Sequence, residues 1–372
     1  MKAQKRIEYL MRAPQLLYNI MLRGRYDFEY DLMDVSSRQM SAAKRLNLVK
    51  AGLNLINKRL SPWSWPLFMQ LELTNYCNLR CRVCATGQGI LGRKPASIDV
   101  ALFERVLNEV GPYLLTLSLF SWGEPLLHPE LRKILSLVQN RGITTFVSTN
   151  GQNLDNPEVL QALIDFPPTY LILAIDGLTD QTNSVFRVGA RLEPALNGVR
   201  SLARMKLERK QRYPILHHSF IVMKHNEHEV PELPEFAADN QFDMLTIRTL
   251  SNIDTADHNI FDEMVPGNPD YQPYEYRNEQ RLKRHDFICE RASVHPSVLV
   301  DGTVVPCCQC YSGKPSYGKV SDGTTFADVW WGKKAAELRQ TIFNSSDSIS
   351  VCRNCTFKDR PVTDCHIRRF DF

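Results

Sequence analysis

From residue 68 to residue 248, short apolar, β-rich runs alternate with segments whose apolar positions recur every three or four residues. The runs 68–74 (FMQLELT), 114–119 (LLTLSL), 143–148 (ITTFVS), 170–175 (YLILAI), 216–223 (LHHSFIVM) and 243–248 (DMLTIR) read as strands. Helices are expected between them near 99–110, 130–141, 157–165, 194–207 and 229–239. Repeated strand–helix alternation implies parallel strands joined by crossover helices. The six strands are too few to close an eight-stranded barrel. The pattern therefore predicts an α/β fold built on an open, partial (β/α)6 TIM barrel with its chemistry at the C-terminal strand ends.

The flanks differ in texture. Residues 7–22 and 44–60 carry helical spacing, and in the second segment Leu46, Val49, Leu53, Ile56 and Leu60 line one face. Residues 1–60 read as helices without a β-hairpin. Ser61-Pro62 and Pro66 end the helical pattern. Residues 251–285 are polar and read as a connection, and two β-rich runs around Asp301-Gly302 read as a tight hairpin with positive φ at both central positions. A last helix is expected near 326–342. The organisation is thus a basic helical extension over 1–66, a partial barrel over 67–250, a connecting segment over 251–288 and a small domain over 289–372.

The 372 residues are 43% hydrophobic and 23% charged, ordinary for a globular chain, and no apolar run reaches the length of a membrane span. The N-terminal stretch MKAQKRIEYLMRAPQLL lacks the continuous apolar core of a secretory signal, so a cytoplasmic location is expected. A net charge of +4 hides an asymmetry: residues 1–66 hold 12 Lys and Arg against 5 Asp and Glu. The cations flank the apolar stripe of 44–60 as Lys44, Arg45, Lys50, Lys58 and Arg59. Such a helix packs on protein or lies peripherally on an anionic membrane. The charge is not interleaved with a stacking platform of aromatics, so nucleic acid is not expected as a partner.

Ten cysteines cluster at short spacing, which in a reducing compartment favours metal over disulfides. Cys77, Cys81 and Cys84 read C-x-x-x-C-x-x-C directly after the first barrel strand. Three thiolates suit a 4Fe–4S cube with one iron left open, and with an outside histidine they would also suit zinc. Cys289, Cys307, Cys352 and Cys355 form a second set, with Cys308, Cys310 and Cys365 nearby. Four thiols with a C-x-x-C pair suit either a cube or structural zinc.

The segment LELTNYCNLRCRVC resembles the cluster loop of the radical S-adenosylmethionine (SAM) superfamily. Membership implies a 4Fe–4S cluster on Cys77, Cys81 and Cys84 that binds SAM and reductively cleaves it. The 5′-deoxyadenosyl radical so formed abstracts hydrogen from a substrate. SWGEPLLHPEL resembles the family's glycine–glycine–glutamate loop, with Gly123 and Glu124 matching and Trp122 standing where the first glycine would be. The resemblance also implies SAM contacts from Ser148 and Asn150 in STNG and from Arg187 in SVFR, which follows AIDG.

Cys289, twelve residues, Gly302, four residues and Cys307, with YGKV, Trp330 and Gly332 beyond, resemble the SPASM auxiliary-cluster domain. Only Cys365 remains for a further cluster, which favours the shortened twitch form: one auxiliary 4Fe–4S cluster on Cys289, Cys307, Cys352 and Cys355. Cys308 or Cys310 could stand in for Cys307. The implied function is a small-molecule oxidoreductase acting on a sugar- or cyclitol-like alcohol, supplied with electrons by a flavodoxin- or ferredoxin-like donor. The alternatives are a peptide-modifying SPASM enzyme, disfavoured by the expected lack of an N-terminal hairpin, and a non-redox epimerase, lyase or adenosyl transferase acting on a lipid-linked substrate.

Overall fold

The computed structural model describes residues 14–57, 59–250, 264–272, 274–277, 280–284, 287–353, 355–360 and 368–372. Lys58, Cys365 and residues 7–13 of the first expected helix lie outside them. In chain order the strands are β1 (Tyr26–Tyr30), β2 (Met33–Ser37), β3 (Phe68–Leu71), β4 (Thr116–Ser118), β5 (Thr144–Thr149), β6 (Tyr170–Ala174) and β7 (Ile215–Val222). They continue with β8 (Met244–Thr249), β9 (Tyr276–Arg277), β10 (Gln280–Arg281), β11 (Ser297–Val298), β12 (Thr303–Val305), β13 (Gly318–Lys319) and β14 (Arg368–Asp371). Residues 14–21 form helix α1. It is followed by α2 (Ala42–Ile56), α3 (Val100–Val110), α4 (Leu131–Val138), α5 (Pro157–Asp165), α6 (Asp180–Phe186), α7 (Leu192–Glu208) and α8 (Leu233–Asp239).

Strands β3 to β8 pair in sequence order and in parallel, as the alternating pattern predicts. The sheet runs on to β11, β12 and β13 at one edge and to antiparallel β14 at the other. It therefore stays open. Period-2 alternation divides each strand between two environments. Leu171 and Leu173 of β6 join the core beneath the crossover helices, with Phe103, Leu135, Leu163 and Val199. Tyr170 and Ile172 face the concave interior. The helices start where side-chain caps satisfy orphan amides: Asp99 accepts from Leu102 N, Asn156 from Glu158 N and Thr179 from Thr182 N.

The N-terminal extension departs from the all-helical expectation. Strands β1 and β2 form an antiparallel hairpin between α1 and α2. Its two turn residues, Asp31 and Leu32, have φ of 54° and 65°, the left-handed geometry of a two-residue turn, here without glycine. The hairpin enters the concave side of the barrel. Met33 and Val35 are fully buried against Phe146, Tyr170, Ile172 and Met244, and Tyr30 stacks on Phe146 at 5.2 Å. Arg248 grips the turn, donating to Asp31 Oδ2 at 2.8 Å and to its carbonyl at 2.7 Å.

Helix α2 is inverted relative to its hydrophobic stripe. It buries Lys44, Asn47, Leu48, Ala51 and Asn54 and leaves Leu46, Leu53 and Ile56 exposed. The physical reason is polar satisfaction. Asn47 accepts from Trp65 N at 2.8 Å, and Asn54 accepts from Trp63 N at 3.0 Å and donates to Ser64 Oγ at 2.7 Å. Lys44 Nζ donates to the carbonyls of Arg141 and Gly142.

The expected hairpin at 297–306 forms as β11 and β12, but its turn differs. Gly302 N donates to Leu299 O, Leu299 N to Thr303 O, and positive φ falls on Gly302 (87°) and not on Asp301. A Cβ at Gly302 would stand 2.5 Å from Val320 O, so the glycine is needed for space as well as for conformation.

Candidate SAM and auxiliary cluster sites

The loop after β3 carries Cys77, Cys81 and Cys84 to the C-terminal end of the barrel. Cys81 is buried with Leu79 and Ala190, and Cys77 and Cys84 pack against the same group. The loop is tight. A Cβ on Gly87 would lie 2.3 Å from Cys81 O. Three neighbours turn donors toward sulfur: Leu79 N lies 3.4 Å and Asn150 Nδ2 3.5 Å from Cys77 Sγ, and Arg187 NH1 lies 3.9 Å from Cys81 Sγ. Such donors suit thiolates that share the negative charge of a cluster. Burial pushes the Cys77 thiol up to about 11 and raises that of Cys81. These thiols therefore ionise on binding metal and release protons as they do so.

The remaining expected SAM contacts converge on this loop. Glu124 is fully buried after β4, accepting from Thr149 Oγ1 at 2.7 Å, Asn150 N at 2.9 Å and Leu126 N at 3.1 Å. Burial raises its pKa against those bonds. Gly123 is required for space, since a Cβ there would stand 2.3 Å from Thr74 O. Asn150 bridges the two motifs, with its side chain on Cys77 and its amide on Glu124. Ser148 sits half-buried on β5, and its neighbour Thr149, which sequence reasoning passed over, holds Glu124 instead. Asp176, at the end of β6, is no simple turn residue. It is completely buried, accepts from Arg187 Nε at 2.6 Å and Ile221 N at 2.8 Å, and aims the guanidinium at Cys81. Burial opposes the charge on Arg187, but Asp176 and Cys81 outweigh it and hold it firmly protonated.

The second cysteine set gathers at the β11–β12 hairpin. Burial pushes Cys289 up to about 11 and Cys352 up to about 12. Each also feels its neighbours: Cys289 the charges of Cys307 and Cys355, Cys352 those of Cys307, Cys289 and Cys355. The four expected ligands are thus mutual neighbours, brought together from three separate segments. Cys310 is buried and hydrogen-bonded to Cys307, and Cys308 is half-buried alongside. Among the described residues no three His, Cys, Asp or Glu side chains gather as ligands of a single metal ion. A cube places each thiolate on its own iron, so its ligands stand further apart than those of a single metal ion.

Two further ties were not visible in the sequence. Trp122 donates its indole N–H to Cys308 O at 3.0 Å and meets Tyr311 edge-on at 5.3 Å, linking the Glu124 loop to the auxiliary loop. Arg93 pairs bidentately with Glu72 at 2.6 and 2.7 Å and donates to Tyr311 O at 2.7 Å, while Glu72 also accepts from Val300 N at 3.1 Å.

Comparison with known proteins agrees with this geometry. The Radical SAM superfamily matches over residues 71–237 and the SPASM iron–sulfur cluster-binding domain over residues 289–356. The chain belongs to the radical SAM superfamily and carries a C-terminal SPASM domain, an enzyme class that uses SAM and 4Fe–4S clusters. It is 23% identical over 320 residues to a tungsten-containing aldehyde ferredoxin oxidoreductase cofactor-modifying protein of Pyrococcus furiosus, covering 78% of this chain and 88% of that one. It is 29% identical to pre-heme d1 synthase of Dinoroseobacter shibae, covering 46% of this chain and 40% of that one. It is 28% identical to PqqA peptide cyclase of Gluconobacter oxydans, covering 45% of each chain. The chain thus spans under half the length of these last two relatives. The structure of Streptococcus suis SuiB bound to S-adenosylmethionine shares the fold, with a TM-score of 0.59, 13% identity and coverage of 97% of this chain and 89% of that one.

Proposed function

We propose that Cys77, Cys81 and Cys84 hold the SAM-binding cluster and that Cys289, Cys307, Cys352 and Cys355 hold one auxiliary cluster in a twitch-like arrangement. The enzyme would then oxidise a small polar alcohol. When bound, the first cluster supplies the electron that splits SAM into methionine and a 5′-deoxyadenosyl radical. The protein's part is positioning. Glu124, with both oxygens already held, keeps accepting capacity for the SAM amino group. Ser148 and Asn150 would contact the ribose of SAM, and Arg187, which Asp176 aims at Cys81, would approach SAM from beside the cysteine loop. The observation that carries the reading is the direct contact of Asn150 with Cys77 and of Arg187 with Cys81, which joins the SAM contacts to the cysteine loop.

Trp122 ties the Glu124 loop to the loop that carries Cys307 and Cys308, and a cluster held by the auxiliary cysteines would accept one electron from a substrate radical that has already lost a hydrogen atom, completing a two-electron oxidation. A flavodoxin- or ferredoxin-like protein would supply the first electron. A peptide substrate is the second reading. PqqA peptide cyclase is a sequence relative, and an N-terminal hairpin is present, with its apolar face packed inside the barrel. Anaerobic reconstitution with iron and sulfide, then reduction in the presence of SAM, tests the core of the proposal. Formation of 5′-deoxyadenosine supports it; zinc-loaded protein that takes up no iron and leaves SAM intact refutes it. Cys352→Ala with Cys355→Ala tests the finer claim, which predicts 5′-deoxyadenosine without product.

A further inference from the structure

Helix α2 presents its apolar stripe outward. Ile56 is 75% exposed and Leu46 and Leu53 are 50% and 42% exposed, while the asparagine face is sewn to the chain behind it. Helix α1 continues the same surface. Its inner residue Ile20 packs with Leu48, its end is tied to α2 by Arg45 NH1 on Met21 O at 2.9 Å, and Leu17, Met21 and Leu22 are exposed. At the far end of α2, Trp63 is half exposed and lies under the Arg59 guanidinium at 3.8 Å. Large apolar side chains left in water on two adjoining helices mark an interaction surface, since isolated ones would need no explanation.

The charge says what covers it. Residues 1–66 hold 12 basic and 5 acidic side chains, and α2 itself carries Lys44, Arg45 and Lys50 with no acid. Lys44 is turned inward, so Arg45, Lys50 and Arg59 border the stripe. An apolar face bordered by cations, with no acid on α1 or α2 among the described residues, matches the acyl boundary and headgroups of an anionic bilayer.

We propose that the outer face of α1 and α2 is a docking surface for an anionic membrane, and that it holds the barrel with the loop of Cys77, Cys81 and Cys84 turned away from the lipid. Orientation follows from where α2 sits. Leu48 and Ala51 pack with Leu67 and Leu115, which immediately precede β3 and β4, and Lys44 caps the carbonyls just before β5. These are the N-terminal ends of the strands, whereas Cys77, Cys81 and Cys84 follow β3 at its C-terminal end. The docked enzyme therefore meets its substrate from the aqueous side, which counts against a lipid-linked substrate. This placement holds whether or not the proposed oxidation is the reaction.

Cosedimentation of the full chain with sucrose-loaded vesicles tests the proposal. Vesicles of phosphatidylglycerol and phosphatidylcholine should pellet the protein at low salt, pure phosphatidylcholine should not, and high salt should release it. Each cation near the surface is worth about fivefold in partitioning, so Lys50→Glu with Arg59→Glu should weaken binding by at least about 25-fold. Leu46→Ser, Leu53→Ser and Ile56→Ser together should also abolish pelleting. Since these side chains are already in water, thermal stability and 5′-deoxyadenosine formation in solution should be unchanged. Failure of the wild-type chain to pellet with anionic vesicles overturns the proposal. A dimer in solution that the serine variant dissolves overturns it too, assigning the face to a second copy.

Discussion

Replacing Arg93 by Met should destabilise the protein more than any surface substitution, because it strands a carboxylate. The Glu72 side chain has no exposure, Arg93 has 12%, and the two meet through a pair of parallel hydrogen bonds. Removing one partner of a buried pair costs about 3–5 kcal/mol, since the remaining charge has neither water nor counter-ion. That corresponds to a roughly 100- to 4,000-fold loss in the folding equilibrium. At about 2.1 cal/mol/K of unfolding entropy per residue, a chain of 372 residues melting as one unit loses about 4–6 °C. Arg93→Lys should fall between, as an ammonium meets one carboxylate oxygen at a time and cannot also serve Tyr311 O. Adding Glu72→Gln to Arg93→Met should recover part of the loss, because no charge is left stranded. Thermal and denaturant unfolding of the reconstituted protein, at a fixed scan rate, measure all four forms. Arg93→Met that melts within a degree of wild type, or a double variant no more stable than Arg93→Met alone, refutes the argument.

Reconstituted protein should hold about eight irons, two cubes of four, and Cys77→Ala, Cys81→Ala and Cys84→Ala together should leave about half; colorimetric iron assay decides. Gly123→Ala forces a methyl group against Thr74 O and should weaken SAM binding, read by equilibrium dialysis, more than it lowers iron content. Trp122→Phe leaves Cys308 O without its donor and should loosen the auxiliary site, seen as slower iron retention during gel filtration, while the SAM-site iron stays. Burial lowers the Lys44 pKa from 10.5 to about 8. Between those values the unfolded chain binds a proton that the folded chain lacks, so Lys44 makes stability rise with pH. In denaturation at pH 7.5, 9 and 10, the stability of the native protein relative to Lys44→Met should rise with pH, the subtraction cancelling the other groups that titrate in this range.

The barrel strands were legible because parallel strands covered on both faces read as dense β-rich runs, and the cysteine loop because ligand spacing is fixed by cluster chemistry. The β1–β2 hairpin was written in the sequence too: Tyr26, Phe28 and Tyr30, then Met33 and Val35, alternate with polar residues. It was missed because Asp31-Leu32 lacks the Asn-Gly signature of such turns, and Arg248, far along the chain, secures the turn instead. Helix α2 misled for the opposite reason. Its apolar periodicity is real, yet two asparagines with matching backbone partners outcompete it for the interior. The links from Trp122 to Cys308 and from Arg93 to Tyr311 join residues about two hundred positions apart, a distance over which one sequence carries no pairing information.

The hairpin that fills the concave side of the barrel from the strands' N-terminal end makes the reaction chamber a cup, with a floor of Met33, Val35 and Tyr30. A floor at one end of an open sheet leaves the mouth above it and the gap beside it as the ways in. Whatever descends furthest rests on the hairpin, so its aromatic and apolar side chains set how deep a reagent can sit. The depth of the chamber becomes a property of the N-terminal extension.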